Sequence, residues 1–551
     1  MAEKIWHKSY APGVPKSIDY EKITISEALA RSAEKFPDRT ALNYMGRRIS
    51  YKALNDMVNQ FARALQDMGI KAGDKVGVSL PNIPQVIISN LAIFRIGAVS
   101  VQNNPLYTER ELAYQLDDSD SRIIITLTLL VPRMQKIKSQ TKLEKIVGCH
   151  IHSFLPFPKK QLFPFVKKDM YRKIESTDDV MVFSDLLARY PADSVEDQSS
   201  WEEMGAILYT GGTTGVSKGV MLSHSHLSSN VFVSWFPDLK PGEERLVGNF
   251  PVFHTAGFSA IQNLITWQAW ENIMVPRPEA KINLDILKKY NPTFLPGVPT
   301  IFVGLLAEPA FRNLDFSKVK GFFSGAAPLA ADTIRDLKEI TGATMCEVYG
   351  STEAGPFMTV TPWGGEVKPG TVGVPVPDTE IKIVDIENGE KELPIGEHGE
   401  IVMKGPQIMM GYYKKPEATA EVLKDGWFYS GDIGCFDEDG YLSITDRKKD
   451  MIIAGGYNIY PVELDNVLFD HPKILEACTI GVKDEYRGET VKAFVVVKEG
   501  ERLTEAEVVA YCKENLAAYK IPKIIEFIDE LPKSAVGKIL RRKLKDMEKN
   551  R

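Results

Sequence analysis

The chain has 551 residues, of which 44% are hydrophobic and 25% charged, and its 67 basic and 73 acidic side chains give a net charge of −6. One hydrophobic core rarely extends beyond about 250–300 residues, so the length predicts at least two domains. The composition excludes general disorder, and the charge excludes a polycation built to bind nucleic acid. Five scattered cysteines without a CxxC pair are typical of a cytoplasmic protein and argue against a zinc site.

Helical and strand patterns alternate through the first part of the chain. The spacing of apolar residues predicts helices over 25–36, 51–68 and 84–97, and buried strands over 75–80 and 98–101. Repeated strand–helix units of this kind predict layers of helices around a largely parallel sheet.

The pattern changes over residues 370–436, where short strands separated by Gly, Pro and Asp turns predict a smaller β-rich subdomain. The charged stretch 446–450 follows, and we expect a domain boundary there because polar, exposed connections are where domains separate. The predicted fold class is therefore α/β. A large N-terminal domain (1–446) contains layered α/β subdomains and the β-rich subdomain, and a small mobile α+β C-terminal domain covers 447–551.

Residues 154–173 mix bulky apolar side chains with six bases and one acid, which gives a local charge of +5. Such a segment can rest on an anionic membrane face, which would make the protein peripheral to the inner membrane. The alternative is a surface insertion with its aromatic side chains tucked against the domain, and both interpretations stay open. The prolines interrupt any single regular amphipathic helix.

A glycine-rich loop carries the most informative chemistry. The predicted strand 205–209 leads into Thr210 and then into glycines, hydroxyls and Lys218. Glycines let backbone N–H groups approach an anion, hydroxyls donate further hydrogen bonds, and the ammonium adds a point charge. The loop is therefore predicted to hold phosphate. It differs from a Walker A loop because no glycine directly precedes Lys218.

This loop and five further motifs together resemble the adenylate-forming superfamily, which includes acyl-CoA synthetases, luciferases and peptide-synthetase adenylation domains. The motifs lie in the family's order over residues 209–538. They are Tyr209 to Gly219, Pro251 to His254, Tyr349 to Glu353, Tyr429 to Asp432, Asp446 to Asp450 with Gly455 to Tyr457, and Pro532 to Lys538. The stretch 104–112 and the basic–apolar segment resemble those of bacterial and archaeal long-chain ligases.

The resemblance implies ATP, Mg²⁺ and CoA, a carboxylic acid substrate, and an assignment for each site residue. The implied catalytic residues are Lys538, Thr352, Glu353 and His254, with Glu353 as the Mg²⁺ ligand. The implied ATP contacts are Thr210, Gly211, Gly212, Thr213, Thr214, Gly215, Lys218, Gly325, Ala326, Ala327, Tyr349, Gly350, Thr352, Asp432, Arg447 and Lys538. The implied acyl contacts are His254, Phe258, Gly325 and Val348, the implied CoA contacts are Gly455, Gly456, Tyr457 and Lys520, and Lys449 is the implied hinge.

The chain departs from the family's pattern at Val348, where many members have glycine beside the acyl pocket, and at Ser217, where proline is frequent. The resemblance as a whole implies a ligase that activates a medium- to long-chain fatty acid through an acyl-adenylate and transfers it to CoA. An aryl- or branched-acid ligase, an adenylating enzyme without CoA, and a nucleotide-gated binding protein are the alternatives. No nucleic-acid partner is expected, and the oligomeric state stays open, with a homodimer among the alternatives.

Overall fold

The computed structural model describes residues 3–210, 217–233, 236, 238–327, 329–454, 457–484, 487–534 and 537–549. The chain divides into two compact units. Unit 1 consists of Met1–Thr379 and Lys404–Gly426, and unit 2 of Glu380–Met403 and Trp427–Arg551. The sequence-based boundary between residues 446 and 447 falls inside unit 2, and as a boundary between moving domains it stays a prediction.

The strands are numbered in chain order. They are β1 (Thr40–Tyr44), β2 (Arg47–Ser50), β3 (Lys75–Ser79), β4 (Val99–Gln102), β5 (Ser121–Leu127), β6 (Lys145–Cys149), β7 (Val180–Val182), β8 (Met204–Thr210), β9 (Lys218–Ser223), β10 (Arg245–Gly248), β11 (Glu271–Met274), β12 (Phe294–Gly297), β13 (Gly321–Ser324), β14 (Thr344–Tyr349), β15 (Thr359–Val360), β16 (Val374–Pro375), β17 (Glu380–Val384), β18 (Gly399–Lys404), β19 (Gly411–Tyr412), β20 (Leu423–Lys424), β21 (Trp427–Phe436), β22 (Leu442–Arg447), β23 (Ile452–Ala454), β24 (Tyr457–Ile459), β25 (Ile474–Asp484), β26 (Gly488–Val497) and β27 (Ile524–Phe527).

The α-helices are numbered in the same way, and a π-helical turn, Phe258–Asn263, joins α9 to α10. They are α1 (Ile25–Lys35), α2 (Tyr51–Asp67), α3 (Pro84–Arg95), α4 (Glu109–Asp118), α5 (Val131–Ile137), α6 (Lys159–Val166), α7 (Phe183–Arg189), α8 (His224–Val233), α9 (Thr255–Gly257), α10 (Leu264–Gln268), α11 (Ala280–Tyr290), α12 (Pro299–Ala307), α13 (Ala331–Thr341), α14 (Pro416–Val422), α15 (Pro461–Phe469), α16 (Glu505–Asn515) and α17 (Arg541–Lys549).

Unit 1 contains two large, mainly parallel sheets among its described residues. One has the strand order β19-β9-β8-β4-β3-β5-β6-β7, and the other has the order β16-β15-β14-β13-β12-β10-β11-β1-β2. Antiparallel pairs occur only toward the ends of both orders, at β8–β9–β19, β14–β15–β16 and β1–β2. The predicted helices and strands of the first part of the chain correspond to α1, α2, α3, β3 and β4, so the α/β prediction is confirmed.

Helix α3 lies in the core of unit 1, with all of its twelve residues buried. The polar side chains of such a helix need hydrogen-bond partners within the protein. Asn90 donates to Gln262 Oε1 at 2.8 Å, and Arg95 Nη1 donates to Asn59 Oδ1 at 2.6 Å. These bonds tie α3 to the π-helical turn and to α2.

The parallel strands β10, β12, β13 and β14 end at one edge of their sheet. In open α/β sheets, ligands bind beyond the carboxyl ends of the strands. The segments that leave this edge include residues 251–258 after β10, 325–327 after β13, and 350–353 after β14. Two of the six sequence motifs, together with the predicted ATP contacts 325–327, therefore lie at the same edge of one sheet.

Unit 2 contains two smaller sheets. In one, β17 lies beside β18, and β21 pairs antiparallel with both β18 and β22. In the other, β26 pairs with β25, β23 and β27. The buried Asp465 accepts hydrogen bonds from the Thr479 N–H at 2.6 Å and the Thr479 hydroxyl at 2.8 Å, and it forms an ion pair with Arg541. These contacts join α15, β25 and α17.

The predicted division into a large α/β part and a smaller part is confirmed, whereas the mobility of the smaller part stays a prediction. No helix in the described part of the chain is both long enough and apolar enough to cross a membrane.

Candidate active site

The two ends of the predicted phosphate loop are held by antiparallel pairing. Thr210 ends β8 and pairs with Lys218, which begins β9. The Thr210 hydroxyl donates to the Lys218 carbonyl at 3.4 Å. The predicted contacts Gly211, Gly212, Thr213, Thr214 and Gly215 lie outside the described residues.

Helix α4 contacts both flanks of this loop. The sequence motifs did not indicate this contact. The Tyr114 hydroxyl donates to the Ser217 carbonyl at 3.2 Å, and the Gln115 amide donates to Ser217 Oγ at 3.3 Å. On the other flank, the Tyr209 hydroxyl donates to Asp118 Oδ2 at 2.7 Å. The stretch 104–112, which resembles that of long-chain ligases, leads into α4 and was the only feature of the sequence that pointed to this helix. One helix therefore fixes where the loop begins and ends.

Glu353, the predicted metal ligand, lies in a short 3₁₀ turn, Thr352–Ala354, after β14. Its Oε1 accepts a hydrogen bond of 2.9 Å from the Tyr412 hydroxyl. Burial, and then the charge of Glu353, raise the pKa of Tyr412, which favours the protonated donor. The other predicted catalytic residue of this turn, Thr352, is half-buried.

The donor chemistry of this turn fits Mg²⁺. Magnesium prefers one or two protein carboxylates and takes its other oxygens from water and phosphate. Glu353 supplies one carboxylate, and within the described ranges no group of three or more His, Cys, Asp or Glu residues is arranged to hold a metal. Glu353 would therefore hold the ion together with the nucleotide, because the residues that the structure describes provide no complete set of ligands.

The predicted adenine contacts follow β13 and β14. Tyr349 ends β14 and is buried, and Gly350 follows it. A Cβ at Gly350 would lie 1.4 Å from the Pro356 carbonyl oxygen, so the turn there requires glycine. Ala326 has a φ of 72°, and it is exposed together with Ala327. These predicted contacts therefore lie at or directly after the ends of two adjacent strands, β13 and β14. They are Tyr349, Gly350, Gly325, Ala326 and Ala327.

The predicted acyl contacts occupy different environments. His254 caps α9, and its Nδ1 accepts a hydrogen bond of 3.3 Å from the Ala256 N–H. Phe258 is fully buried, and its ring packs edge-on against Phe94 with centroids 6.0 Å apart. Val348 is half-buried on β14 and pairs with Val360. His254 therefore lies at a helix start, whereas Phe258 is part of the core.

The predicted ribose contacts belong to unit 2, where they form an ion pair. Asp432 on β21 pairs in register with Arg447 on β22, and Arg447 Nε lies 3.1 Å from Asp432 Oδ1. The sequence motifs indicate the two residues separately, but not this contact.

Two lysines of unit 2 have lowered pKa values. Burial, followed by the charge of Arg447, lowers the pKa of Lys449 to about 8. Lys538 is exposed as a whole residue, yet the loss of water around its ammonium group, followed by the charge of Arg447, lowers its pKa to about 8. Lys449 also lowers the pKa of Lys538, while Asp432 raises it. The predicted hinge, catalytic lysine and ribose contacts therefore interact electrostatically within unit 2.

The predicted CoA contacts are only partly described. Gly455 and Gly456 lie outside the described residues, and the backbone of Tyr457 begins β24. Lys520 already has a partner, because its Nζ lies 2.6 Å from both carboxylate oxygens of Glu463. A phosphate at Lys520 would have to compete with this carboxylate.

Comparisons with known proteins identify the family. A family model described as AMP-binding enzyme matches residues 29–413, and one described as AMP-binding enzyme C-terminal domain matches residues 463–538. The chain belongs to the AMP-binding enzyme family. The predicted membership of the adenylate-forming superfamily, among its acyl-CoA synthetases, is thereby confirmed.

Full-length relatives of this AMP-binding enzyme include a long-chain-fatty-acid–CoA ligase of Bacillus subtilis (strain 168), which is 41% identical and matches 100% of this chain and 99% of that protein. ATP-bound MatB from Rhodopseudomonas palustris has a TM-score of 0.84 at 31% identity, over 96% of this chain and 99% of that chain. O-succinylbenzoate coenzyme A synthetase (MenE) from Bacillus subtilis, in complex with ATP and magnesium ion, has a TM-score of 0.78 at 26% identity, over 94% and 99% of the two chains.

A buried carboxylate beside the predicted acyl pocket was also missed by the sequence analysis. Glu347 lies on β14, one residue before Val348, and its Oε1 accepts a hydrogen bond of 3.1 Å from the Leu329 N–H. Burial raises the pKa of Glu347 to about 7, although the Leu329 hydrogen bond acts in the opposite direction.

Glu347→Gln should stabilise this AMP-binding enzyme in alkaline solution. The unfolded carboxyl has the lower pKa, so the stability that the protonated Glu347 contributes is fully present below about pH 4.5 and is lost as the pH rises through about 7. Glutamine carries no charge and keeps an oxygen for Leu329. Its advantage in the free energy of unfolding should therefore grow by about 2 kcal/mol between about pH 5 and pH 8.5.

Chemical denaturation of both proteins at these two pH values measures this change. Glu339→Gln, on the exposed side of α13, is the control for the loss of one surface carboxylate. A difference between Glu347→Gln and the unmodified protein that does not change with pH would contradict the prediction.

Proposed function

We propose that this AMP-binding enzyme is an ATP-dependent fatty-acid–CoA ligase. The acid's carboxylate attacks the α-phosphorus of ATP and releases pyrophosphate. The CoA thiol then attacks the acyl carbon and releases AMP. The observation that carries the proposal is full-length similarity to proteins named long-chain-fatty-acid–CoA ligase, at 41% identity in Bacillus subtilis and 36% in Escherichia coli.

The first step brings a carboxylate onto a triphosphate, so the site must neutralise charge as the pentacoordinate phosphorus develops. Lys218 supplies a cation beside the phosphate loop, and Thr352 supplies a hydroxyl for the α-phosphate. When bound at Glu353, Mg²⁺ would offset phosphate charge. Lys538 supplies a second cation. Asp432 would accept hydrogen bonds from the ribose hydroxyls, and Arg447 would donate to them.

The acyl group is proposed to bind beyond the carboxyl end of β14, near His254, Gly325 and Val348. The branched side chain of Val348 fills space that a glycine would leave open, and the buried Phe258 is proposed to close the acyl tunnel. The length of the acyl chain that this space accepts is a matter for the substrate panel below. An aryl- or branched-acid ligase is the alternative within the same chemistry.

We further propose that residues 1–446 and 447–551 act as two domains with Lys449 as the hinge. Gly455, Gly456, Tyr457 and Lys520 are the proposed CoA contacts. Glycine suits a passage for the pantetheine arm because it has no side chain to obstruct the thiol.

A panel of acids from short-chain to long-chain, together with benzoate, tests the substrate class. AMP formation with CoA should be greatest for medium- or long-chain acids, because each additional buried methylene contributes about 0.8 kcal/mol of binding. A preference for benzoate would favour the aryl alternative. An absence of AMP formation with every acid of the panel would overturn the proposed function.

Lys538→Ala should lower the rate of adenylation by about 100- to 1,000-fold, because it removes one cation that stabilises the transition state. Thioester formation from preformed acyl-adenylate should remain within about threefold of the unmodified rate, since that step does not use the lysine. Pyrophosphate exchange and acyl-adenylate consumption measure the two steps. Gly456→Leu should have the opposite effect, with exchange retained and thioester formation lost.

Lys533→Ala is the matched control for this prediction, because Lys533 lies five residues from Lys538 and forms an ion pair with Glu476. Equal loss of both half-reactions in Lys538→Ala would contradict the role proposed for Lys538. Loss of exchange in Gly456→Leu would contradict the proposed passage for the thiol.

We also propose that the protein is cytoplasmic and rests on an anionic membrane through residues 154–173. Phe154 is buried and the Phe163 ring stacks on His152, so part of the segment is tucked against unit 1. Leu155 is buried as well, but other apolar side chains are exposed, among them Phe157 by 83%, Phe165 by 73%, Val166 by 70% and Leu162 by 52%. Exposed apolar groups interleaved with basic side chains suit the interface of an anionic bilayer.

Substituting Phe157, Phe165 and Val166 together by Ser should weaken binding to vesicles of phosphatidylcholine mixed with phosphatidylglycerol by at least about tenfold, because three bulky groups no longer enter the interface. Sedimentation with vesicles measures binding, and added salt should weaken it. Leu106→Ser is the control, since Leu106 is 75% exposed outside the segment. Equal binding to pure phosphatidylcholine, or an equal loss in Leu106→Ser, would contradict the proposal.

A further inference from the structure

Tyr412 contacts both of the charged groups that are proposed to meet the triphosphate in unit 1. Its hydroxyl donates to Glu353 Oε1 at 2.9 Å. The Lys218 ammonium lies over its ring, 4.8 Å from the ring centroid. No ion pair joins Lys218 directly to Glu353, both of which the structure describes. One neutral side chain therefore separates a cation from an anion.

The backbone around Tyr412 is tied to the elements that carry both charges. Tyr412 pairs in register with Val220 on β9, the strand that Lys218 begins. The Tyr413 N–H donates to the Gly219 carbonyl at 2.8 Å, and the Met409 N–H donates to the Glu353 carbonyl at 2.8 Å. The segment 409–413 thus bridges β9 and the Glu353 turn, and it fixes the position of the ring between them.

Direct pairing of Lys218 and Glu353 would oppose nucleotide binding. Opposite charges that approach in a partly buried site attract strongly, and an ion pair would have to be broken before phosphate met the lysine or a metal met the carboxylate. A ring face and a hydroxyl satisfy the same groups with weaker, neutral interactions. Hydrogen bonds to a ligating carboxylate also orient it for a metal, and they can remain in place when the metal binds.

We propose that Tyr412 is a positioning residue that keeps Lys218 and Glu353 apart in the nucleotide-free enzyme, so that Lys218 is available for phosphate and Glu353 for Mg²⁺. This inference rests on the proposed function, and it assigns a role to a residue that the motifs did not indicate. Tyr412 touches no reacting atom and acts through the two residues that it separates.

Two substitutions separate the roles of the hydroxyl and the ring. Tyr412→Phe keeps the ring over Lys218 and removes the hydrogen bond to Glu353. The Mg²⁺ concentration for half-maximal pyrophosphate exchange should rise about tenfold, while the affinity for ATP in the presence of EDTA should stay within about twofold. Tyr412→Leu also removes the ring and lets the two charges meet, so its affinity for ATP in EDTA should fall by about three- to tenfold. Isothermal titration calorimetry measures both affinities.

A rescue experiment distinguishes this role from simple packing. In the Tyr412→Leu protein, Glu353→Gln removes the anion that would capture Lys218. The affinity for ATP in EDTA should therefore return to that of the Glu353→Gln protein alone. A general loss of structure would not be repaired by this second substitution, and circular dichroism checks the fold of each variant.

Tyr413→Phe is the matched control, because the neighbouring hydroxyl donates to Asp120 at 2.9 Å and contacts neither Lys218 nor Glu353. It should leave the Mg²⁺ requirement unchanged. An unchanged Mg²⁺ requirement in Tyr412→Phe, or no recovery in the double variant, would overturn the inference. Failure of the proposed function would instead appear as an absence of AMP formation by the unmodified enzyme with every acid of the panel.

Discussion

Electrostatic repulsion between the carboxylate and the triphosphate is the constraint on which the chemistry of this protein depends. Two anions must meet, and only fixed positive charge and oriented dipoles can make their approach favourable. In the site proposed for unit 1, Lys218 would supply positive charge beside the predicted phosphate loop, and Glu353 in the turn after β14 would hold the Mg²⁺ that supplies more. Lys218 begins β9 and Glu353 lies in the turn that follows β14, so the fold sets their separation before any ligand arrives.

The same constraint means that oppositely charged side chains of a binding site can form ion pairs with one another when no ligand is bound. Where charges of both signs lie close together without a ligand, they tend to form ion pairs. In unit 2, Asp432 pairs with Arg447 and Lys520 with Glu463. A ligand for such a pair must compete with the existing partner. Tyr412 represents a different solution, in which a neutral side chain occupies the space between the charges.

Much of the fold could be predicted from the sequence because α1, α2, α3, β3 and β4 combine local periodicity with turn residues at their ends. The motifs also named Glu353, Lys218 and Lys538. Contacts that depend on distant segments could not be predicted: Tyr412 lies 59 positions from Glu353, and Tyr209 meets Asp118 across 91 positions. The π-helical turn at Phe258 could not be predicted either, because the spacing of its apolar residues resembles that of an ordinary α-helix.

The hold of α4 on both flanks of the phosphate loop has a consequence for evolution. Tyr209 and Ser217 are both hydrogen-bonded to α4, so the contour length between them must match a fixed gap. Inserting or deleting one residue there would displace an anchor together with the loop. The number of residues in this interval is therefore expected to tolerate little change.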